Sequence, residues 1–190
     1  MERKTLKDLR ILIVGGKPHA VATLRMAFGI VGFANVEAVA KSARAVEILS
    51  SRSVDAVFCD ECAAPLDGVP FPQAARRIKG VLDPMVPIFL ICDAPKRRHV
   101  ERARDVGVTN VLVRPISAAT VVRKLRLAMA APRPFILAGD FFGPDRRGAS
   151  RPAFSGADRR RRAPRKLAIS PSDAAALLGG KDPGDLAPAE

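Results

Sequence analysis

A chain of 190 residues and 20.3 kDa has room for one ordinary domain and an extension, and 48% hydrophobic content is enough for a core. Lys and Arg number 32 against 19 Asp and Glu, a net charge of +13 that favours acidic partners and says nothing about fold. No apolar run reaches the roughly 20 residues of a membrane span, the N-terminus lacks the apolar stretch of a secretory signal, and three cysteines do not make a disulfide framework, so the expectation is a cytoplasmic protein.

In chain order, Ile11–Val14 is a continuous apolar run, as a strand buried on both faces requires, and Val36–Val39, Ala56–Cys59, Ile88–Ile91 and Val111–Val113 repeat it. Helical spacing lies between them. Val21, Leu24, Phe28 and Val31 form the first stripe; Ala43, Val46 and Leu49 the second; Phe71, Ala74, Ile78 and Leu82 the third. Val100, Ala103 and Val106 run to Gly107, a residue suited to a left-handed helix stop. Ser117 is a helix cap before Val121, Leu125 and Met129. Strict β-α alternation with crossover-length connections predicts an α/β fold, a doubly wound five-stranded parallel sheet covered by helices on both faces. Function in such a sheet gathers beyond the C-terminal strand ends. Those ends are Gly15-Gly16, Asp60-Glu61-Cys62, Cys92-Asp93 and Arg114-Pro115.

Charge marks a boundary. Residues 1–130 hold 21 basic and 12 acidic residues, 131–169 hold 10 and 3, and 170–190 hold 1 and 4. The middle segment is rich in Gly, Pro, Ser and Arg, a composition that buries little apolar surface. The expected division is a domain over 1–130 and a flexible tail over 131–190, with a short helix at 171–178 opened by Ser170-Pro171.

Asp55-Ala56-Val57-Phe58-Cys59-Asp60, followed by Pro65-Leu66-Asp67-Gly68, resembles the third strand and next loop of response-regulator receiver domains. Pro87–Cys92 is similar to that family's fourth strand, and Ala103–Val108 with Leu112–Pro115 to its fourth helix end and fifth strand. Gly32-Phe33 falls where the family often has Gly-Phe or Gly-Tyr, and the match spans about residues 9–130 in the family's order. The resemblance implies the strand order 2-1-3-4-5. It also implies a site in which an acidic pair and an aspartate hold Mg²⁺, the aspartate accepts a phosphoryl group, and a hydroxyl residue and a lysine bind its oxygens.

Carried over, Asp60 takes the phosphoacceptor position and the Cys62 carbonyl would face the metal. Gly15 and Gly16 replace the acidic pair, Cys92 the hydroxyl residue and Arg114 the lysine ahead of Pro115. Val111 stands at the aromatic switch position. Mg²⁺ demands oxygen ligands in octahedral geometry. With no carboxylate from the glycines, Mg²⁺ binding at Asp60 is expected to be weak and phosphorylation impaired, with Arg114 pairing bidentately to Asp60. Asp at both glycine positions would then be expected to strengthen Mg²⁺ binding.

Other motifs are weaker. Cys59-x-x-Cys62 starts inside a strand, unlike redox motifs that open a helix, and reads as a buried thiol followed by a loop thiol. His19 and His99 lack paired-ligand spacing. Gly15-Gly16 lacks the spaced glycines of a dinucleotide loop. Basic residues crowd the fourth and fifth helices, with Arg97, Arg98 and Arg102 on the former and Arg123 and Lys124 on the latter. The tail repeats a pattern 13 residues apart: Phe141-x-Gly143-x-Asp145-Arg146-Arg147 recurs as Phe154-x-Gly156-x-Asp158-Arg159-Arg160. Each copy offers an aromatic anchor and an arginine fork for carboxylate or phosphate.

These features predict a non-enzymatic, receiver-like protein of bacterial two-component or phosphorelay signalling. It would act by contact with a histidine kinase or other signalling protein. The alternatives are a phosphorylatable stand-alone receiver with unusual ligands and a basic nucleic-acid-binding adaptor. The latter lacks an RNA-recognition motif, a helix-turn-helix or a Trp/Tyr platform.

Overall fold

The computed structural model describes residues 5–138, 141–145, 165–167 and 170–178. Five strands, β1 (Arg10–Val14), β2 (Asn35–Val39), β3 (Ala56–Asp60), β4 (Ile88–Cys92) and β5 (Asn110–Val113), alternate with five helices. The helices are α1 (Pro18–Val31), α2 (Ser42–Ser51), α3 (Phe71–Arg77), α4 (Arg97–Asp105) and α5 (Ala118–Ala130). The strands pair in parallel in the order β2-β1-β3-β4-β5, so chain direction reverses its winding between β1 and β3. Asp60 stands opposite Ile91 in the β3–β4 register, which sets its carboxylate at the C-terminal edge beside that winding point.

The strand period of two divides the core. Ile11 and Ile13 on β1 face α1 and α5 with Phe28, Phe58, Phe89 and Leu125, whereas Leu12 and Val14 face α2 and α3 with Ile48, Leu49, Val57 and Phe71. On the first face Phe58 stacks on Phe89 at 4.9 Å and meets Phe28 edge-on at 4.8 Å. α1 ends at Gly32 in the left-handed region, where Phe33 N donates to Phe28 O and Phe33 turns back into this cluster. Ser117 caps α5 by accepting from Thr120 N. None of the helices in the described residues is long and apolar enough to cross a membrane.

Two elements depart from what the sequence predicts. The apolar spacing predicts a third helix reaching Leu82, but α3 stops at Arg77 and Leu82 is exposed. Gly80 adopts positive φ, and the Asp83-Pro84 turn delivers the chain into β4, so those positions serve a loop. The span read as a flexible tail is partly folded: β6 (Phe135–Ala138) and β7 (Phe141–Pro144) form an antiparallel hairpin joined at its other edge by β8 (Arg165–Leu167). α6 covers Pro171–Leu178. The reason is local: Phe135, Ile136, Leu137 and Phe142 supply an apolar surface that the arginines around them disguise in bulk composition. Phe135, Phe142 and the buried Ala174 pack with Met85 ahead of β4, at the end of the sheet away from Asp60.

Candidate site at the C-terminal strand ends

Asp60 closes β3 and is 6% exposed, so its charge needs partners. One carboxylate oxygen accepts from Cys62 N at 2.8 Å, an Asx-type turn that fixes the rotamer. The other is paired with Arg114, which follows β5 and whose backbone N donates to Cys92 O. The Arg114 Nη1 atom turns to Asp93 Oδ1 at 3.0 Å, and Asp93 N donates to Glu61 Oε1 at 3.1 Å. The guanidinium therefore forks between two carboxylates rather than chelating Asp60 alone, which corrects the bidentate expectation. Its planar donors diverge, and Asp93 lies on the neighbouring strand end within reach of the second. Burial works against the Arg114 charge, but Asp93 and Asp60 outweigh it and raise its pKa above the ordinary arginine value.

The glycine pair is more than a loss of acids. Gly15 and Gly16 both adopt positive φ, a region that disfavours other side chains. A Cβ on Gly15 would stand 2.6 Å from Ala63 Cβ, and one on Gly16 would stand 3.2 Å from Asp60 Oδ2. The β3–α3 loop thus closes against the end of β1 in the space that a side chain at 15 needs, and the Asp60 carboxylate and Val21 crowd one at 16. Asp at 15 would have to displace Ala63 and Asp at 16 would crowd the Asp60 carboxylate, which works against the expectation that the two would strengthen Mg²⁺ binding.

The family resemblance implies Mg²⁺ here, and the residues present do not fit it. Asp60 commits one oxygen to a backbone amide and the other to a guanidinium, and the glycines offer no carboxylate. Among the described residues no group of three or more His, Cys, Asp and Glu is arranged to hold a metal ion.

Of the remaining switch positions Cys92 and Pro115 lie at the same edge, whereas Val111 stands opposite Leu90, two residues short of the end of β5. Cys92 is buried with Sγ 3.7 Å from Leu112 O, and Pro115 follows Arg114 through a cis peptide bond. Val111 is half-buried, and its carbonyl accepts from Lys124 Nζ at 2.5 Å, with Asn110 Oδ1 at 3.1 Å. Lys124 is therefore turned onto β5 rather than offered to a partner, because its stem can run along α5 to two acceptors. Burial, with Arg123 nearby, lowers its pKa. Cys59 is buried, and burial with the Asp60 charge pushes its thiol up to about 12; Cys62 is exposed.

Arg98 and Arg102 are exposed on α4, and Arg97 is engaged with Glu101 at 2.9 Å. Arg123 is exposed on α5. Phe141 lies in β7 with its ring over Gly143, where a Cβ would come within 2.9 Å of its Cζ. Arg146, Arg147, Phe154, Arg159 and Arg160 lie outside the described residues.

Sequence reasoning missed Arg76. It is fully buried, donating to Pro84 O at 2.7 Å, Val86 O at 2.6 Å and Gly107 O at 3.2 Å, with Cζ 5.1 Å from the Phe135 ring centre. Burial lowers its pKa to about 9, opposed by Asp83. Within Ala74-Ala75-Arg76-Arg77 nothing separates it from Arg77; only its position on the inner side of α3 would.

No protein-family model and no curated protein sequence matches the chain. Solved structures do. The receiver domain of a sensor histidine kinase from Pseudomonas aeruginosa, described with a magnesium ion in its active-site cleft, aligns over 65% of this chain and 98% of its own at 22% identity and a TM-score of 0.57. The chemotaxis protein CheY4 of Vibrio cholerae aligns over 62% and 96% at 19% identity and a TM-score of 0.54. A histidine-kinase receiver domain of Syntrophus aciditrophicus covers 65% and 92% at 22% identity and a TM-score of 0.54. With the strand order and winding described above, this chain has the fold of the response-regulator receiver domains.

Proposed function

We propose that the chain is a receiver-like signalling protein of a two-component or chemotaxis-type system. It works in the cytoplasm by contact with a histidine kinase or another signalling protein, and Asp60 is held by Arg114 instead of being phosphorylated through Mg²⁺. The observation that carries this reading is the Arg114 guanidinium forked between Asp60 and Asp93, beside Gly15, whose side-chain space is taken by Ala63, and Gly16, which faces the Asp60 carboxylate. A phosphoryl group on Asp60 would need that guanidinium to move and a cation to neutralise the charge developing on its oxygens. With no carboxylate supplied at positions 15 and 16, the arginine serves as the fixed counter-charge. The protein then presents one set surface, made by a unit over 1–130 with an extension over 131–190, instead of switching.

The test is incubation with acetyl phosphate and Mg²⁺, followed by intact-protein mass analysis. The expected result is no phosphoryl adduct. Rapid Mg²⁺-dependent labelling that vanishes in Asp60→Asn would establish the working-receiver alternative instead. The nucleic-acid reading rests on the exposed arginines of α4 and the tail's charge, and predicts binding to arbitrary DNA that falls steeply with salt.

A further inference from the structure

α1 and α5 pack side by side on one sheet face through Leu24, Phe28, Val121 and Leu125. Their outer surfaces are unlike ordinary solvated helices. α1 carries Arg25 and His19 as its only ionisable side chains in 14 residues and has no acid. Outward from it stand Met26, 69% exposed, and Ile30, 83% exposed, one helical turn apart. Leu127 and Met129 on α5 are also exposed, so four of the seven exposed large hydrophobics among the described residues gather on these two helices. Scattered exposed apolar residues need no explanation, but a gathered patch does. Along α5, meeting α1 at Val31, lies an open groove of about 610 Å³ lined by Ala119, Val122 and Leu127 with Arg123 and Arg126, and Met26, Ile30 and Met129 stand outside its lining. No acidic residue lines it.

The groove runs the length of α5, from Ala118 to Ala130, about three helical turns. It is therefore suited to a ridge of side chains spaced i, i+3, i+4 and i+7. A small ligand would want converging polar groups, which the groove lacks. A second copy of this chain would bring its own Arg123 and Arg126 against these arginines with no carboxylate in the groove lining, on two bodies of charge +13 each. The chain's last residues, 179–190, are acidic but hold Pro183 and Pro188 and a single large apolar residue, Leu186, so they do not supply a helical ridge. Charge complementarity selects a different chain that brings acid.

We propose that the α1/α5 groove is the docking site for an amphipathic helix of a partner protein, whose apolar ridge fills the groove and whose carboxylates meet Arg123 and Arg126. The Asp60 arrangement plays no part in this inference, so either can fail without the other.

The experiment uses the full chain and two synthetic helices of about five turns. Both carry Leu at i, i+3, i+4 and i+7, one with Glu flanking the stripe and one with Lys in place of each Glu. Fluorescence-anisotropy titration should show the Glu helix binding at least about tenfold tighter than the Lys helix. The double variant Arg123→Glu, Arg126→Glu should reverse or abolish that preference. Leu127→Ser, in the groove lining, should weaken the Glu helix several-fold, and Lys79→Glu, on an exposed position after α3, should leave it unchanged. Amide chemical-shift changes in the unaltered chain should centre on α1 and α5, a readout that needs no variant to fold. Binding of neither helix, equal binding of both, or shift changes centred elsewhere overturns the proposal. So does capture by phosphatidylserine vesicles that Leu127→Ser abolishes, which would make this a membrane face. A chain dimer that Leu127→Ser dissolves would overturn it too, making this an interface between copies.

Discussion

At Asp60 the decisive quantity is the cost of leaving a buried carboxylate alone. Arg114→Ala removes the counter-charge from a group that is 6% exposed, while Arg114 itself is 27% exposed and partly screened. A fully buried pair broken on one side costs about 3–5 kcal/mol; solvent at the arginine reduces this to about 2 kcal/mol. Combining Arg114→Ala with Asp60→Asn should cost less than the sum of the two changes, because the stranded charge is gone, and urea unfolding of the four chains measures the difference. The same carboxylate governs the exposed thiol beside it. Cys62 has a raised pKa from partial burial, then from the charge and hydrogen bond of Asp60, with Arg114 pulling the other way. Asp60→Asn therefore increases the thiolate fraction at pH 8 and speeds alkylation of Cys62, whereas Arg114→Ala slows it. Iodoacetamide kinetics read by peptide mass analysis test both signs. Cys59, at about 12, and the buried Cys92 should stay unlabelled until the protein unfolds.

At the scale of elements, the strand ends do two jobs that the sequence displays unequally. The five apolar runs, the Ser117 cap and the Gly107 stop follow directly from residue type and period, and each is found within a residue of its expected bound. Ser117→Ala should cost about 1 kcal/mol, read as a lower thermal midpoint. The replaced acidic pair is equally visible in sequence, but the closure of the β3–α3 loop onto Gly15 is a contact between residues 48 positions apart and leaves no local signature. That is why substitution at this edge is misjudged from sequence alone. Gly15→Asp must leave the left-handed region or pay about 1–2 kcal/mol to stay in it, and it also collides with Ala63. The double variant Gly15→Asp, Gly16→Asp should therefore lose stability by more than about 2 kcal/mol. Calorimetric titration should show no gain in Mg²⁺ binding. A stable double variant that binds Mg²⁺ would mean that the loop opens readily.

Across the whole molecule, composition concealed a docked extension. Arginine is the commonest residue of 131–169, yet the hairpin β6–β7 meets the body at backbone distance: a Cβ on Gly143 would stand 3.0 Å from Gly107 Cα. Both glycines are needed for that approach, and the Phe135 ring covers the Arg76 guanidinium from the same side. The first copy of the repeat thus has structural work at Phe141, Gly143 and the buried Asp145, while the second copy differs where the first packs, with Ser155 in place of Phe142. Two consequences separate a docked extension from a dispensable one. A chain ending at residue 130 should still unfold cooperatively, because both faces of the sheet are filled from within residues 5–130. Its midpoint should fall, since Met85, Arg76 and Gly107 lose their cover. In the full chain, Phe142→Ala should act locally, removing the side chain that joins Phe135 and Met85. Hydrogen exchange should then quicken at 135–144 and at Val108 and Thr109, with β1 and β3 unchanged. A shortened chain with no cooperative transition would place the extension inside the folding unit. Exchange in Phe142→Ala that rises equally in every strand would place it there as well, because a local loss would then have weakened the whole sheet.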